Sequence, residues 1–165
     1  MVATAIDYYS TQSQLVQNAR AGGRGDTLID HKDHGKVEIY HFEYTAPVGG
    51  IALNKVVSLG YLPQGKILPA HSYWMSTDFG STGTIDLGFN EYKSNDGEVQ
   101  AAAPEAIFNN LDVSGQDVKY DFTDGEVGPD GLDLSGFAEL MFRTNTAGMQ
   151  AGAVVHVYVA MIRGN

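Results

Sequence analysis

Five histidines, twenty acidic residues and no cysteine set the chemistry open to this 165-residue chain. Without cysteine there is no disulfide framework, no thiolate metal site and no cysteine nucleophile. The densest group of potential ligands is Asp30-His31-Lys32-Asp33-His34. Two imidazoles and two carboxylates suit zinc or nickel if a loop curls them together. No third ligand follows at a recognisable spacing, and the segment lies in a stretch with no core to support it, so it reads as polar surface. His41, His71 and His156 fall on expected strands. A cupin-type site gathers histidines on the inward faces of a β-barrel, but it needs two histidines one residue apart followed closely by a glutamate, which this chain lacks. Isolated strand histidines are ordinarily surface or satisfied groups.

The stretch from Asp124 to Asp133 is rich in oxygen ligands and turn formers, as calcium loops are. Counted from Asp124, the twelfth position of an EF-hand loop is Ser135 where an acid is required, so an acidic surface loop is the expectation. Arg24-Gly25-Asp26 matches the tripeptide read by integrins, and in a chain with no export signal it reads as a coincidence of a flexible arm. Trp74 beside Tyr73 has the chemistry to stack on a sugar ring, although such aromatics ordinarily fill a core. There is no glycine-rich phosphate loop, no nucleophile elbow and no interpretable carboxylate pair. No catalytic residue, cofactor or metal is expected.

The elements that would position these side chains belong to one all-β domain behind an arm. Hydrophobic residues make up 43% and charged residues 18% of the chain, a globular composition, and twenty glycines supply the turns that short strands need. Residues 1–36 balance four basic against four acidic side chains, so the net charge of −10 lies entirely in 37–165. An acidic domain repels phosphate backbones, which argues against direct binding to nucleic acid or an anionic membrane. Met1 is followed by Val-Ala-Thr-Ala-Ile-Asp, without the basic start or apolar run of a signal peptide.

The arm, residues 1–36, carries Ile6, Tyr8, Tyr9, Leu15 and Val16 but no core of its own. These five are the expected partner contacts, because such residues must pack on the domain behind them or on another chain. From Val37 the period becomes two, with Tyr40, Phe42 and Tyr44 on one face and Ile39, His41 and Glu43 on the other. Further strands are expected over 53–59, 66–79, 84–89, 118–122, 137–143 and 153–162, with Pro69 marking an edge or a bulge. Ala101 to Asp112 reads as one short helix, because Pro104 suits a first turn and Ile107, Phe108 and Leu111 share a face at helical spacing. The last strand is apolar on both faces, as in a central strand covered on both sides. The fold expected is a two-sheet antiparallel sandwich, jelly-roll-like, with one short helix and an N-terminal arm.

Several of these features also resemble a family of small structural proteins of tailed bacteriophages, the capsid decoration or cement proteins. They are the aromatic strand Tyr40 to Tyr44, Leu62-Pro63-Gln64-Gly65-Lys66-Ile67, Gly80-Ser81-Thr82-Gly83-Thr84-Ile85-Asp86-Leu87-Gly88, and the turn Thr146 to Gly152 before the apolar last strand. The resemblance covers about three quarters of the chain. It implies a jelly-roll sandwich made in the host cytoplasm and assembled as homotrimers on the capsid exterior. Its partners would be the major capsid protein and copies of itself, with no cofactor. A head-fibre or tail position is a variant of the same reading. A carbohydrate-binding β-sandwich module, with calcium in the 124–133 loop, is the alternative from another class.

Overall fold

The computed structural model describes residues 8–9, 37–80 and 82–163. In chain order the strands are β1 (Tyr8–Tyr9), β2 (Val37–Thr45), β3 (Val56–Leu62), β4 (Gly65–Ile67), β5 (Tyr73–Gly80), β6 (Thr84–Phe89), β7 (Tyr92–Lys93), β8 (Val99–Gln100), β9 (Ala103–Asp112), β10 (Gly115–Asp121), β11 (Leu132–Leu134), β12 (Ala138–Thr144) and β13 (Val154–Arg163). One sheet runs β1-β3-β12-β6-β9. In the other, β13 pairs with β2 along one edge and with β5 and β4 end to end along the other, and β10 and β11 lie outside these. Taking β2, β3, β5, β6, β9, β10, β12 and β13 as the eight main strands, the orders are first-eighth-third-sixth and second-seventh-fourth-fifth. That interleaving of two Greek keys is the jelly roll.

Period-two patterning drives the two sheets together. Tyr40, Phe42 and Tyr44 of β2 and Val155, Val157, Val159 and Met161 of β13 point inward and are buried. From the opposite sheet come Val57, Leu59, Leu87, Phe89, Leu140 and Phe142. Phe142 sits at the centre, edge-on to Trp74 at 5.4 Å, Tyr44 at 6.1 Å and Phe79 at 6.5 Å between ring centroids, arrangements favoured by the ring quadrupoles. Trp74 is fully buried and its indole N–H donates to the Ser76 hydroxyl at 3.1 Å. The core reading of Trp74 therefore holds.

Three expectations need correction. The segment expected to be helical is β9, antiparallel to β6, and among the described residues the helical turns are the two single 3-10 turns at Pro69–His71 and Phe122–Asp124. Its helix-like spacing comes from bulges. Leu111 pairs with Ile85 and Phe108 with Leu87, so three residues of β9 oppose two of β6, and Asn110 takes up the extra residue at φ 53°. A second irregularity separates Phe108 from Ala103, and together they turn a two-residue alternation into steps of three and four. Gly88 allows this crowding, because a Cβ there would lie 2.1 Å from the Ala103 carbonyl oxygen.

The run 66–79 is broken by the Pro69 turn into β4 and β5, which pair successively with β13. Pro69 lacks the N–H a ladder needs and carries the φ of a first turn, so it divides the run rather than bulging it. Last, β13 is central within its sheet, and among the described residues only its inward face is covered by another layer. Outward, Val154, His156 and Tyr158 are half-buried and Ile162 is 37% exposed.

Candidate functional site

The outward face of the β2–β13 pair gathers the side chains with both chemistry and exposed apolar surface. Antiparallel register sets them in rungs: Val37 opposite Ile162, Ile39 opposite Ala160, His41 opposite Tyr158, and Glu43 opposite His156. β5 and β10 extend two of these rungs, giving His41–Tyr158–Tyr73–Asp121 and Glu43–His156–Met75–Lys119. Cross-strand neighbours on one face stand about 4.5–5.5 Å apart at Cβ, close enough for rings to stack.

At one end the face is apolar. Val37 is 55% and Ile39 69% exposed beside Ile162. In the middle the rings form a continuous stack: His41 on Tyr158 at 4.3 Å and 12°, Tyr158 on Tyr73 at 4.6 Å and 24°, and the Lys119 ammonium 4.4 Å from the Tyr73 centroid. At the other end the His41 Nε2 and His156 Nδ1 atoms lie 3.1 Å apart, and Glu43 Oε2 is 3.7 Å from His156 Nδ1. These three donors all fall within 4.8 Å of one another.

Beneath the apolar end, the inward side of the same strands is locked by charge. Tyr40 donates to Glu38 at 2.5 Å and accepts from Arg163 Nη2 at 3.0 Å, while Arg163 Nε lies 2.8 Å from Glu38. Burial, followed by the hydrogen bond to Glu38, pushes the Tyr40 hydroxyl up to about 12, with Arg163 acting in the opposite direction. The first and last long strands, β2 and β13, are thus pinned together.

The other sheet offers a shallower feature. Tyr61 and Phe137 stack at 5.2 Å and 4° beside a cavity of about 500 Å³ that Glu91, Lys93 and Val99 also line. Glu139 at its floor is buried and accepts from Ser58 at 2.7 Å and Asn90 at 3.1 Å, partners that hold it in place as an acceptor.

The sequence-derived candidates separate clearly. Tyr8 and Tyr9 form β1, paired in parallel with Val57 and Ser58 of β3. Ile6, Leu15 and Val16 lie outside the described residues, as do Asp30, His31, Asp33, His34 and the Arg24-Gly25-Asp26 tripeptide. In the 124–133 loop, the Asp124 carboxylate accepts from the Asp121 N–H at 3.1 Å, closing a capping box around the 3-10 turn. His71 is exposed at the 3-10 turn, away from the other two strand histidines. His41 and His156 do meet, on the outward face, 115 positions apart in sequence. Alternation set His41 on the face of β2 opposite Tyr40, Phe42 and Tyr44 but gave the last strand no outward face for His156, and the first-to-last strand pairing and its register bring the two together.

No family model and no curated protein sequence matches the chain. Solved structures do resemble it in fold. A chain from the capsid of Ralstonia phage GP4 superposes with a TM-score of 0.60 at 16% identity, over 85% of this chain and 92% of that one. A chain from the capsid asymmetric unit of cyanophage Pam1 superposes with a TM-score of 0.53 at 13% identity, over 84% and 93% respectively. At such identities the likeness is one of fold.

Proposed function

We propose that this chain is a non-enzymatic structural protein of a phage virion, a decoration or cement protein that binds the outside of the head as a homotrimer and braces the shell. The observation that carries this reading is the extent of the fold likeness. The jelly roll spans 92% and 93% of two chains taken from phage capsid structures, so the resemblance is to whole chains rather than to a shared fragment. The outward face of the β2–β13 pair, which no described residue covers, supports it. Val37 and Ile39 of β2 and Ile162 of β13 are exposed side by side in the single chain, which suits a surface covered by a second copy or by the major capsid protein.

In this reading the arm, residues 1–36, reaches a neighbouring subunit through Ile6, Tyr8, Tyr9, Leu15 and Val16. β1 supplies a precedent for the mode, since a two-residue segment of the arm adds to the edge of a sheet by main-chain pairing. Light scattering behind size-exclusion chromatography tests the assembly. The reading predicts three times the 17.7 kDa mass of the chain, insensitive to chelator, and loss of particle attachment when residues 1–36 are removed. A monomer at all concentrations together with unchanged attachment of the truncated chain contradicts it.

The carbohydrate-binding alternative rests on the Tyr61–Phe137 stack, since Trp74 is buried. A glycan array that stays blank with and without calcium removes it.

A further inference from the structure

We propose that His41, Glu43 and His156 form an open site for a divalent ion of the zinc, nickel or copper(II) class. The inference rests on side-chain geometry and is independent of the virion reading. Zinc binds imidazole nitrogen at about 2.0–2.1 Å and carboxylate oxygen at about 2.0–2.2 Å, so donors on a tetrahedral ion stand about 3.3–3.5 Å from one another. The two closest donor separations, 3.1 Å between the imidazole nitrogens and 3.7 Å from His156 Nδ1 to Glu43 Oε2, bracket that edge. The third closes within 4.8 Å, a gap that rotation of an exposed Glu43 side chain covers.

The pair of imidazole nitrogens has its own requirement. At 3.1 Å one ring must donate a proton to the other, because two lone pairs at that distance repel. A metal ion at about 2.05 Å from both nitrogens would replace that proton, sitting about 1.3 Å off the line that joins them and accepting both lone pairs. Two nitrogens and one carboxylate oxygen select a borderline ion over calcium or magnesium, which take oxygen ligands.

The scaffold preorganises the set. Glu43 and His156 are direct cross-strand partners, and His41 is one rung away in a nine-residue ladder. The His41 ring is held by stacking on Tyr158, which is itself stacked on Tyr73. In the single chain Glu43 and His41 are exposed, so an ion from solution reaches the site there. Three protein donors leave at least one coordination position to water or to another ligand.

The test is isothermal titration of chelator-treated, dialysed full-length chain with zinc chloride, paralleled by cobalt(II) absorption in the visible range. The expected result is one saturable equivalent that His156→Ala weakens by about a hundredfold or more, His41→Phe weakens comparably while keeping a ring on Tyr158, and Glu43→Gln weakens less. His31→Ala/His34→Ala should retain that equivalent, which separates the strand site from the arm histidines. Circular dichroism checks that each variant is folded, and His156→Gln replaces His156→Ala if that one is not. Two results overturn the proposal: no saturable zinc binding below about 100 µM, or an equivalent unchanged by both the His41 and His156 substitutions.

Discussion

Replacing Asp86 by Ala should destabilise the sandwich. Asp86 lies on β6 with 1% of its surface exposed. One oxygen accepts from Arg143 Nε at 3.0 Å and from Arg143 Nη2, and the other accepts from the Asn110 N–H at 2.9 Å and from the Asn145 amide. The carboxylate thereby ties β6 to β12 and to the bulge of β9. Removing one partner of a buried ion pair costs about 3–5 kcal/mol. The Arg143 side chain is 35% exposed and keeps Glu105 at 3.2 Å, so water and the remaining carboxylate recover part of that. The net expectation is about 2–3 kcal/mol, equivalent to a drop of about 5–10 °C in Tm for a domain of this size. Asp86→Asn retains an acceptor for the Asn110 N–H but loses the charge, and should fall between, at about 1–2 kcal/mol. Urea unfolding monitored by Trp74 fluorescence reads both values. A loss below about 0.5 kcal/mol for Asp86→Ala, with an unchanged m-value, would refute the assignment of this carboxylate as a structural tie.

Three further outcomes are expected. Tyr40 should titrate at about 12 when followed by absorbance at 295 nm, and Tyr40→Phe should remove that step. Because the folded value lies above the unfolded one of about 10, the unfolded chain releases this proton first, so stability present below pH 10 is lost as pH rises from 10 to 12; a curve flat across that window would contradict the Tyr40–Glu38–Arg163 geometry. Gly88→Ala drives a Cβ into the Ala103 and Pro104 backbone and should cost about 2 kcal/mol or more, whereas Gly128→Ala, with nothing within 4 Å, should be near neutral; equal effects in thermal melts would argue against β9 as a strand. Ile39→Asp, at a residue 69% exposed, should leave the melting temperature within a degree or two while weakening self-association in sedimentation experiments; unchanged association would remove this face as a contact.

Much of the architecture was legible in alternation alone. β2 shows it most plainly, with Tyr40, Phe42 and Tyr44 inward and Ile39, His41 and Glu43 outward, as the period required. β9 misled because two bulges destroy alternation over ten residues, and the resulting spacing of Ile107, Phe108 and Leu111 imitates a helix. A β-bulge leaves little trace in a single sequence beyond an Asn-Asn pair, here Asn109 and Asn110, at a position tolerant of left-handed backbone. The two apolar faces of β13 were read correctly as residue types, but composition alone does not say whether the same chain or another one covers them. The His41–Glu43–His156 cluster was out of reach for a different reason. Its members are individually ordinary outward-facing residues, and only the pairing of the first long strand with the last, in a register that sets Glu43 opposite His156, makes them neighbours.

The central claim, that this jelly roll is an external part of a phage head, is tested most directly by cryo-electron microscopy of purified particles whose genome encodes the chain. The account predicts density for the sandwich in threefold groups on the outer surface of the shell, with the outward face of β2 and β13 against a neighbouring subunit. Particles that carry no copy of the chain would contradict it.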